Sequence, residues 1–136
     1  MLIPPGFHTV TPYFFVDGAA EFLDFLVRGL GGRETMRHMN GSRIANAQVQ
    51  IGDSTIMVSE ASEEFPAMPA SYYLYVESAD SAMAAATTAG ARQIMPVADM
   101  SYGDRQGGVR DREDAESRPA RNLLAVDDEG VNRGIP

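Results

Sequence analysis

Apolar and polar residues follow two different periods along the first part of the chain. Residues 8–16 are rich in aromatic and β-branched side chains, which favours a β-strand. The next segment has apolar residues at the spacing of an amphipathic helix: Phe22, Leu23, Leu26, Val27 and Leu30. Asp17 is well placed to cap this helix, because its carboxylate can accept hydrogen bonds from the free amides of the first turn.

Three shorter runs follow the helix and are separated by turn sequences. They are "ETMRHM", "IANAQVQI" and "STIMVSE", with turns at Asn40–Ser42 and at Gly52 and Asp53. Short turns of this kind join antiparallel strands. Residues 8–60 are therefore predicted to form one β-α-β-β-β module.

The same layout returns later in the chain. "PYFFVDGAAEFLDFLVRGLGGR" and "YYLYVESADSAMAAATTAGAR" each contain an aromatic run, an acid, an apolar helix, a glycine and an arginine. Val16 corresponds to Val76, and a repeat with this period of 60 residues indicates one supersecondary unit used twice. The second module, about 71–111, has a helix at 79–89, the strand "RQIMPV" and a hairpin around "YGDRQGG". We expect the whole chain to be a single α+β domain of two repeated modules.

The chain departs from this layout after Asp111. In the divergent tail, 112–136, the best candidate for an eighth strand is "RNLLAV", residues 121–126. If this segment does not pair, the neighbouring strand has an open edge that a second copy of the chain can cover. On this ground we expect a homodimer.

The charge balance excludes two classes of partner. The chain has eleven arginines and no lysine against nineteen acids, which gives a net charge of −8. Nucleic acids and membrane surfaces are not expected as partners, because binding to them needs clustered cations. The absence of cysteine excludes disulfides and cysteine metal sites. The N-terminus lacks the pattern of a signal peptide, so the expected location is the cytoplasm.

Several segments, in order along the chain, resemble the glyoxalase, bleomycin-resistance and extradiol-dioxygenase superfamily, also called vicinal oxygen chelate. Within it they are similar to small bacterial PhnB-like proteins. The segments are "TPYFFVDGAAEFLDF", "IGDSTIMVSE", "YLYVESAD", "AGA" and "IMPVADMSYGDRQGGVRD". The resemblance implies two modules side by side, each curling a mixed sheet around a shared concave pocket that binds a small molecule. It also implies a dimer, since many members are dimeric.

Metal-using members of this superfamily take histidine, glutamine or glutamate ligands from the first and last strands of each module. The resemblance places three of these positions at Thr11, Met57 and Ser71. None of the three is a plausible ligand for a catalytic divalent metal. The fourth position lies on the last strand, where the family pattern is absent. We therefore predict no metal and no other cofactor.

Alternation along the two aromatic strands groups possible pocket residues. Thr11, Tyr13 and Phe15 share one face of the first strand, and the second has an equivalent group: Ser71, Tyr73 and Tyr75. If the implied arrangement holds, these faces line the pocket together with Met57. Ordinary core packing explains the same alternation equally well.

The glycine-rich hairpin supplies three further candidates. A phosphate cradle would need "YGDRQGG" to lead into a helix, but here it leads into a strand. A plain hairpin turn is the better interpretation. Tyr102, Asp104 and Arg105 are then candidates for the pocket rim, where the arginine would favour an anionic ligand.

Other residues able to do chemistry are few. His8 is interpreted as a surface or strand-end residue and His38 as a rim residue. The acids Glu60, Glu63 and Glu64 are interpreted as solvated charges of the loop between the modules. No basic or metal partner converges on them in the sequence.

The leading hypothesis is a small-molecule-binding protein of the glyoxalase and bleomycin-resistance type without a catalytic metal. A second hypothesis is a divalent-metal-dependent lyase, isomerase or dioxygenase that uses His8 or His38 with Glu60 or an acid of the tail. A third is a decayed or frame-altered member that serves only as a dimeric interaction protein. The sequence leaves open whether any reaction is catalysed.

Overall fold

The structure is a computed structural model, and it describes residues 2–111 and 121–127. The chain divides into two compact units, Met1–Met68 and Pro69–Pro136, called unit 1 and unit 2 below. No helix within the described ranges is long and apolar enough to cross a membrane.

Unit 1 is a four-stranded mixed sheet with one helix. Its elements are β1 (Tyr13–Val16), α1 (Ala19–Leu30), β2 (Arg33–Asn40), β3 (Arg43–Ile51) and β4 (Ser54–Glu60). The strand order is β1-β4-β3-β2, in which β1 is parallel to β4 and the other pairs are antiparallel. This is the predicted β-α-β-β-β module.

Unit 2 repeats the same plan. Its elements are β5 (Ala70–Tyr75), α2 (Ala79–Thr88), β6 (Arg92–Asp99), β7 (Arg105–Arg110) and β8 (Arg121–Asp127). The order is β5-β8-β7-β6, again with the first and last strands parallel. The predicted α+β fold of two repeated modules is confirmed, and α1 and α2 begin 60 residues apart.

The tail supplies the closing strand of unit 2. β8 pairs with β5 on one side and with β7 on the other, so it occupies an interior position of the sheet. The open edge on which the homodimer was predicted is therefore absent, because β8 covers it. The hypothesis of a decayed chain loses the same premise. The remaining parts of the tail, 112–120 and 128–136, lie outside the described residues.

Two local predictions about the start of unit 1 are wrong. The first strand begins at Tyr13 rather than at residue 8, and Pro12 before it has no amide hydrogen to donate to a sheet. Asp17 does not cap α1, because Gly18 occupies the cap position in the left-handed conformation, φ 80°. The carboxylate of Glu60, at the end of β4, accepts hydrogen bonds from Gly18 and Ala19 instead, at 3.0 and 2.9 Å.

The described cores of the two units differ in side-chain size. α1 buries Phe22, Leu23 and Leu26, and the ring of Phe22 packs against Phe14 of β1. In α2 the fully buried residues are alanines, Ala79 and Ala86.

Small residues let the elements of unit 2 approach closely. A side chain at Gly107 of β7 would place its Cβ 2.7 Å from Cγ2 of Val97 and 2.9 Å from Cε of Met83. Unit 2 therefore packs by close approach, whereas unit 1 fills its interior with large apolar side chains.

Candidate ligand-binding faces

Each sheet has one face against its helix and one face turned away from it, called the open face below. In β1, Phe14 packs on α1, so Tyr13 and Phe15 lie on the open face. Their rings are stacked with centroids 4.7 Å apart. The predicted alternation along this strand is therefore present in the structure.

In unit 2 the same alternation is fixed by β7. Arg105 bonds to Asp80 of α2, so it lies on the helix side of the sheet. Its neighbour Gln106 consequently lies on the open face, where it bonds to Tyr73. The ring of Tyr75 meets that of Tyr73 edge-on, with centroids 5.6 Å apart and planes at 68°.

A chain of hydrogen bonds anchors Tyr13 on the open face of unit 1. Asn46 Nδ2 donates to the Tyr13 hydroxyl at 2.9 Å, and that hydroxyl lies 2.5 Å from Ser59 Oγ. Ser59 uses its own hydrogen on the carbonyl of Ala45, at 2.7 Å. Tyr13 must therefore donate to Ser59, and the chain ends at a backbone acceptor.

Phe65 extends this aromatic surface. Its ring stacks on Phe15 with centroids 5.1 Å apart and planes within 12°. Tyr13, Phe15 and Phe65 thus form a row of rings, and Tyr13 remains 39 % exposed. This row presents flat apolar surface together with one anchored hydroxyl.

In unit 2 a buried glutamine holds two tyrosines. The hydroxyls of Tyr73 and Tyr102 both donate to Gln106 Oε1, each at 2.9 Å. Gln106 is 8 % exposed, whereas Tyr73, Tyr75 and Tyr102 are 40, 83 and 63 % exposed. A fixed side chain beneath the surface therefore orients rings that are largely accessible.

Asp104 sets the electrostatics of this surface. The pKa of Tyr73 is raised, first because partial burial disfavours the phenolate and then because the negative charge of Asp104 opposes it. Tyr102 and Tyr75 contribute in the same direction. The phenol of Tyr73 is therefore held in its neutral, donating form.

Arg105 is already engaged by two carboxylates. Nε and Nη2 bond to both oxygens of Asp80 at 2.9 and 3.0 Å, and Nη1 bonds to Asp99 at 3.2 Å. These bonds raise the pKa of the guanidinium further above its usual range. The predicted role of Arg105 at a pocket rim stays a prediction, and its geometry gives it the different role of joining α2 to β6 and β7.

The three positions given by the resemblance to metal-using members lie in different settings. Thr11 precedes β1, and its hydroxyl donates to the carbonyl of His8 at 3.4 Å. Met57 is paired with Tyr13 in the register of β1 and β4, and Ser71 is exposed on β5. Their assignment to a pocket stays a prediction.

The register of β8 identifies the fourth position. Met57 is the partner of Tyr13 in β4, and the corresponding partner of Tyr73 in β8 is Leu124. The sequence could not place this residue, because the tail lacks the family pattern.

His8 and His38 are both exposed, which agrees with their interpretation as surface residues. Glu60 is not a solvated loop charge as predicted, since it ends β4 and caps α1. Glu63 and Glu64 are exposed in the loop after β4. Within residues 2–111 and 121–127, no three histidine or carboxylate side chains are grouped so that they could hold a metal ion.

The amides beneath the tyrosines, Asn46 and Gln106, were missed in the sequence. Each lies 33 residues after the tyrosine that it holds, Tyr13 and Tyr73. The period of 60 residues that relates the two modules also relates the two amides. Extending the repeat from the helices to the third strands would have found them.

No protein-family model matches the chain, and a search of the curated proteins finds no match. Solved structures do match. TioX from Micromonospora sp. ML1 is 22% identical, with a TM-score of 0.67 over 87% of this chain and 95% of that one. A member of the glyoxalase/bleomycin resistance protein/dioxygenase superfamily from Sphaerobacter thermophilus is 16% identical, with a TM-score of 0.64 over 88% and 96%.

A third match is a PhnB protein from Bacillus cereus, 14% identical, with a TM-score of 0.62 over 87% of this chain and 99% of the other. At these identities the likeness concerns the fold. The chain has the glyoxalase-like fold, which confirms what the resemblance of its sequence implied about architecture.

Proposed function

We propose that the protein binds a small molecule on its open faces and does so without a catalytic metal. The observation that carries this proposal is the pair of aromatic surfaces anchored from below, at Tyr13 by Asn46 and at Tyr73 by Gln106. Exposed rings that served only as packing would not need such anchors. Rings held in place lose little freedom when a ligand is bound, which favours affinity.

The chemistry of these faces suits a ligand with a flat apolar part. Aromatic walls supply contact area, and a few oriented polar groups fix the direction of the ligand. In unit 1 the polar group is the Tyr13 hydroxyl, and in unit 2 it is the cluster at Gln106.

The residues of this chain do not fit the metal site of the fold family. The four positions are occupied by Thr11, Met57, Ser71 and Leu124. Two hydroxyls, one thioether and one aliphatic side chain lack the imidazole and carboxylate ligands that bind divalent ions in such sites. We therefore derive no metal-dependent step.

The alternative of a metal-dependent enzyme would need His8 or His38 together with Glu60 or an acid of the tail. Both carboxylate oxygens of Glu60 are used by the amides at the start of α1. Asp127, the tail acid that ends β8, is likewise bonded to the amide of Ala79. These bonds favour a structural role for the two acids.

Two finer expectations belong to the same proposal. A homodimer is expected on the resemblance alone, and light scattering showing a stable monomer would remove it. Cytoplasmic location, a PhnB-like bacterial origin and the absence of nucleic-acid binding are also proposed, the last because of the net charge of −8.

The test is a binding screen on protein purified without added metal. Elemental analysis is expected to find no stoichiometric metal, and ligand-observed NMR is expected to find aromatic compounds that bind. Tyr13→Ala or Tyr73→Ala should weaken those compounds that contact the truncated ring. Val27→Ala is the matched control, because it truncates an exposed apolar residue on α1. Stoichiometric metal, or binding equally weakened by the control, would contradict the proposal.

A further inference from the structure

The open face of unit 2 has three accessible tyrosine rings around one buried amide. Tyr73 and Tyr102 meet at Gln106 Oε1, because each donates its hydroxyl hydrogen to that atom. Tyr75 adds a ring roughly perpendicular to Tyr73. The three rings therefore cannot collapse into one stack, and they present ring surface in more than one direction.

The only charged group shown to act on this cluster, among the described residues, is the carboxylate of Asp104. Its field reaches Tyr73, and no hydrogen bond or ion pair to its side chain is found in the described part of unit 2. The nearest cation in sequence, Arg105, is turned to the helix side and bonded to Asp80 and Asp99. The cluster of rings thus carries negative charge that no described cation neutralises.

We propose that this surface, made of Tyr73, Tyr75, Tyr102 and Asp104, binds a small organic cation. The inference rests on the proposed function and names its ligand class. The face of an aromatic ring carries the negative end of the ring quadrupole, so several rings at different angles attract a positive group. The carboxylate adds charge attraction.

Unit 1 lacks this combination. The residue 60 positions before Asp104 is Ile44, which is buried. Its exposed row contains two phenylalanines, Phe15 and Phe65, and its one tyrosine is part of a hydrogen-bond chain that ends in the backbone. A cation should therefore prefer the open face of unit 2.

The experiment compares three compounds that share a phenyl ring and differ in charge: benzyltrimethylammonium, benzyl alcohol and benzoate. Binding to the full chain is measured by calorimetry, and the site is read from the ring resonances of ¹³C-labelled tyrosines. Benzyltrimethylammonium is expected to bind at least about tenfold more tightly than benzoate, a ratio that corresponds to about 1.4 kcal/mol. It should shift the resonances of Tyr73, Tyr75 and Tyr102 more than that of Tyr13.

Two variants remove one negative charge each. Asp104→Asn should weaken the cation about fivefold, the size typical of one partly exposed charge contact, and should leave benzyl alcohol unchanged. Asp53→Asn is the control, because Asp53 lies in an exposed turn of unit 1. It should change neither affinity.

The outcomes separate this inference from the proposed function. If the three compounds bind equally, if benzoate binds best, or if Asp53→Asn weakens the cation as much as Asp104→Asn, the cation inference is wrong while small-molecule binding stands. If no aromatic compound binds either unit, the proposed function fails as well.

Discussion

Units 1 and 2 have the same strand order and the same position of the helix, but they solve the two faces of the sheet differently. On the helix side, unit 1 fills its interior with Phe22, Leu23 and Leu26, whereas α2 has Ala82, Met83 and Ala86 at the positions 60 residues later. On the open face, the hydrogen bonds of unit 1 end in the backbone at Ala45, whereas those of unit 2 converge on Gln106.

This difference separates stability from binding. A well-filled core in unit 1 can stabilise the module by itself, since each large apolar side chain contributes about 1.5–3 kcal/mol on full burial. Unit 2 has smaller buried residues and depends more on polar contacts, such as Asp127 with Ala79 and Arg105 with Asp80. The unit with the weaker core is the one that exposes three tyrosines.

The largest expected effect comes from a pair of equivalent core positions. Leu23 is fully buried, whereas Met83, 60 residues later, is only partly buried. Leu23→Ala should lower the free energy of unfolding by about 2–5 kcal/mol, because it leaves a cavity, and Met83→Ala by only about 1 kcal/mol. Urea denaturation measures both. Equal losses would show that the two cores do not differ as described.

The second comparison concerns the carboxylates that cap the helices. Asp127 is 2 % exposed and accepts from Ala79 at 2.6 Å, whereas Glu60 is only partly buried. Asp127→Ala should cost about 2 kcal/mol, because it leaves a buried amide unpaired, and Glu60→Ala about 1 kcal/mol. Asp127→Asn keeps an acceptor and serves as the control in thermal unfolding. A larger loss for Glu60→Ala would reverse the comparison.

A smaller effect is expected at the amides. Gln106→Leu removes the acceptor of two tyrosines and should cost about 1 kcal/mol, whereas Asn46→Leu should cost about 0.5 kcal/mol, because Tyr13 still donates to Ser59. Chemical denaturation gives the energies. NMR of the tyrosine rings should show more ring motion after Gln106→Leu than after Asn46→Leu, and the opposite order would contradict the anchoring role of Gln106.

The smallest effect is on pH dependence. The ordinary pKa of tyrosine is 10.0, and in the folded chain the pKa of Tyr73 is raised by burial and by Asp104, with Tyr102 and Tyr75 acting in the same direction. Because the folded state binds this proton more tightly, its contribution to stability is fully present below pH 10 and is lost as the pH rises through the folded pKa.

Ultraviolet difference titration measures this pKa. Asp104→Asn should lower it toward the ordinary value, and Tyr73→Phe should remove the transition. A titration unchanged by Asp104→Asn would mean that the carboxylate does not act on Tyr73, which would also weaken the cation inference.

The sequence predicts local features of the fold better than side-chain partnerships. The apolar spacing predicted α1, and "RNLLAV" predicted β8, because each element buries one face in a regular period. The cap of α1 was predicted wrongly at Asp17, since the actual cap, Glu60, comes from 42 residues away in the chain. Such a contact follows from the pairing of β1 with β4, which residues 8–30 alone do not contain.

The candidate site shows the same division. Alternation correctly grouped Tyr13 with Phe15 and Tyr73 with Tyr75. It could not show that Arg105 turns toward Asp80, because that depends on which residue of β7 faces the helix. The register of β7 had to be known before the arginine could be separated from the rings.

The central claim is that the open faces bind a small molecule, and the five tyrosines of the chain provide its most direct test. Four of them lie on or beside the open faces, whereas Tyr72 alternates with Tyr73 and lies on the other side of β5. In a titration of ¹³C-tyrosine-labelled protein with a compound found in the binding screen, the account predicts saturable shifts at one or more of Tyr13, Tyr73, Tyr75 and Tyr102, with Tyr72 unchanged. A bound compound that shifts none of the four, or that shifts Tyr72 most, would contradict it.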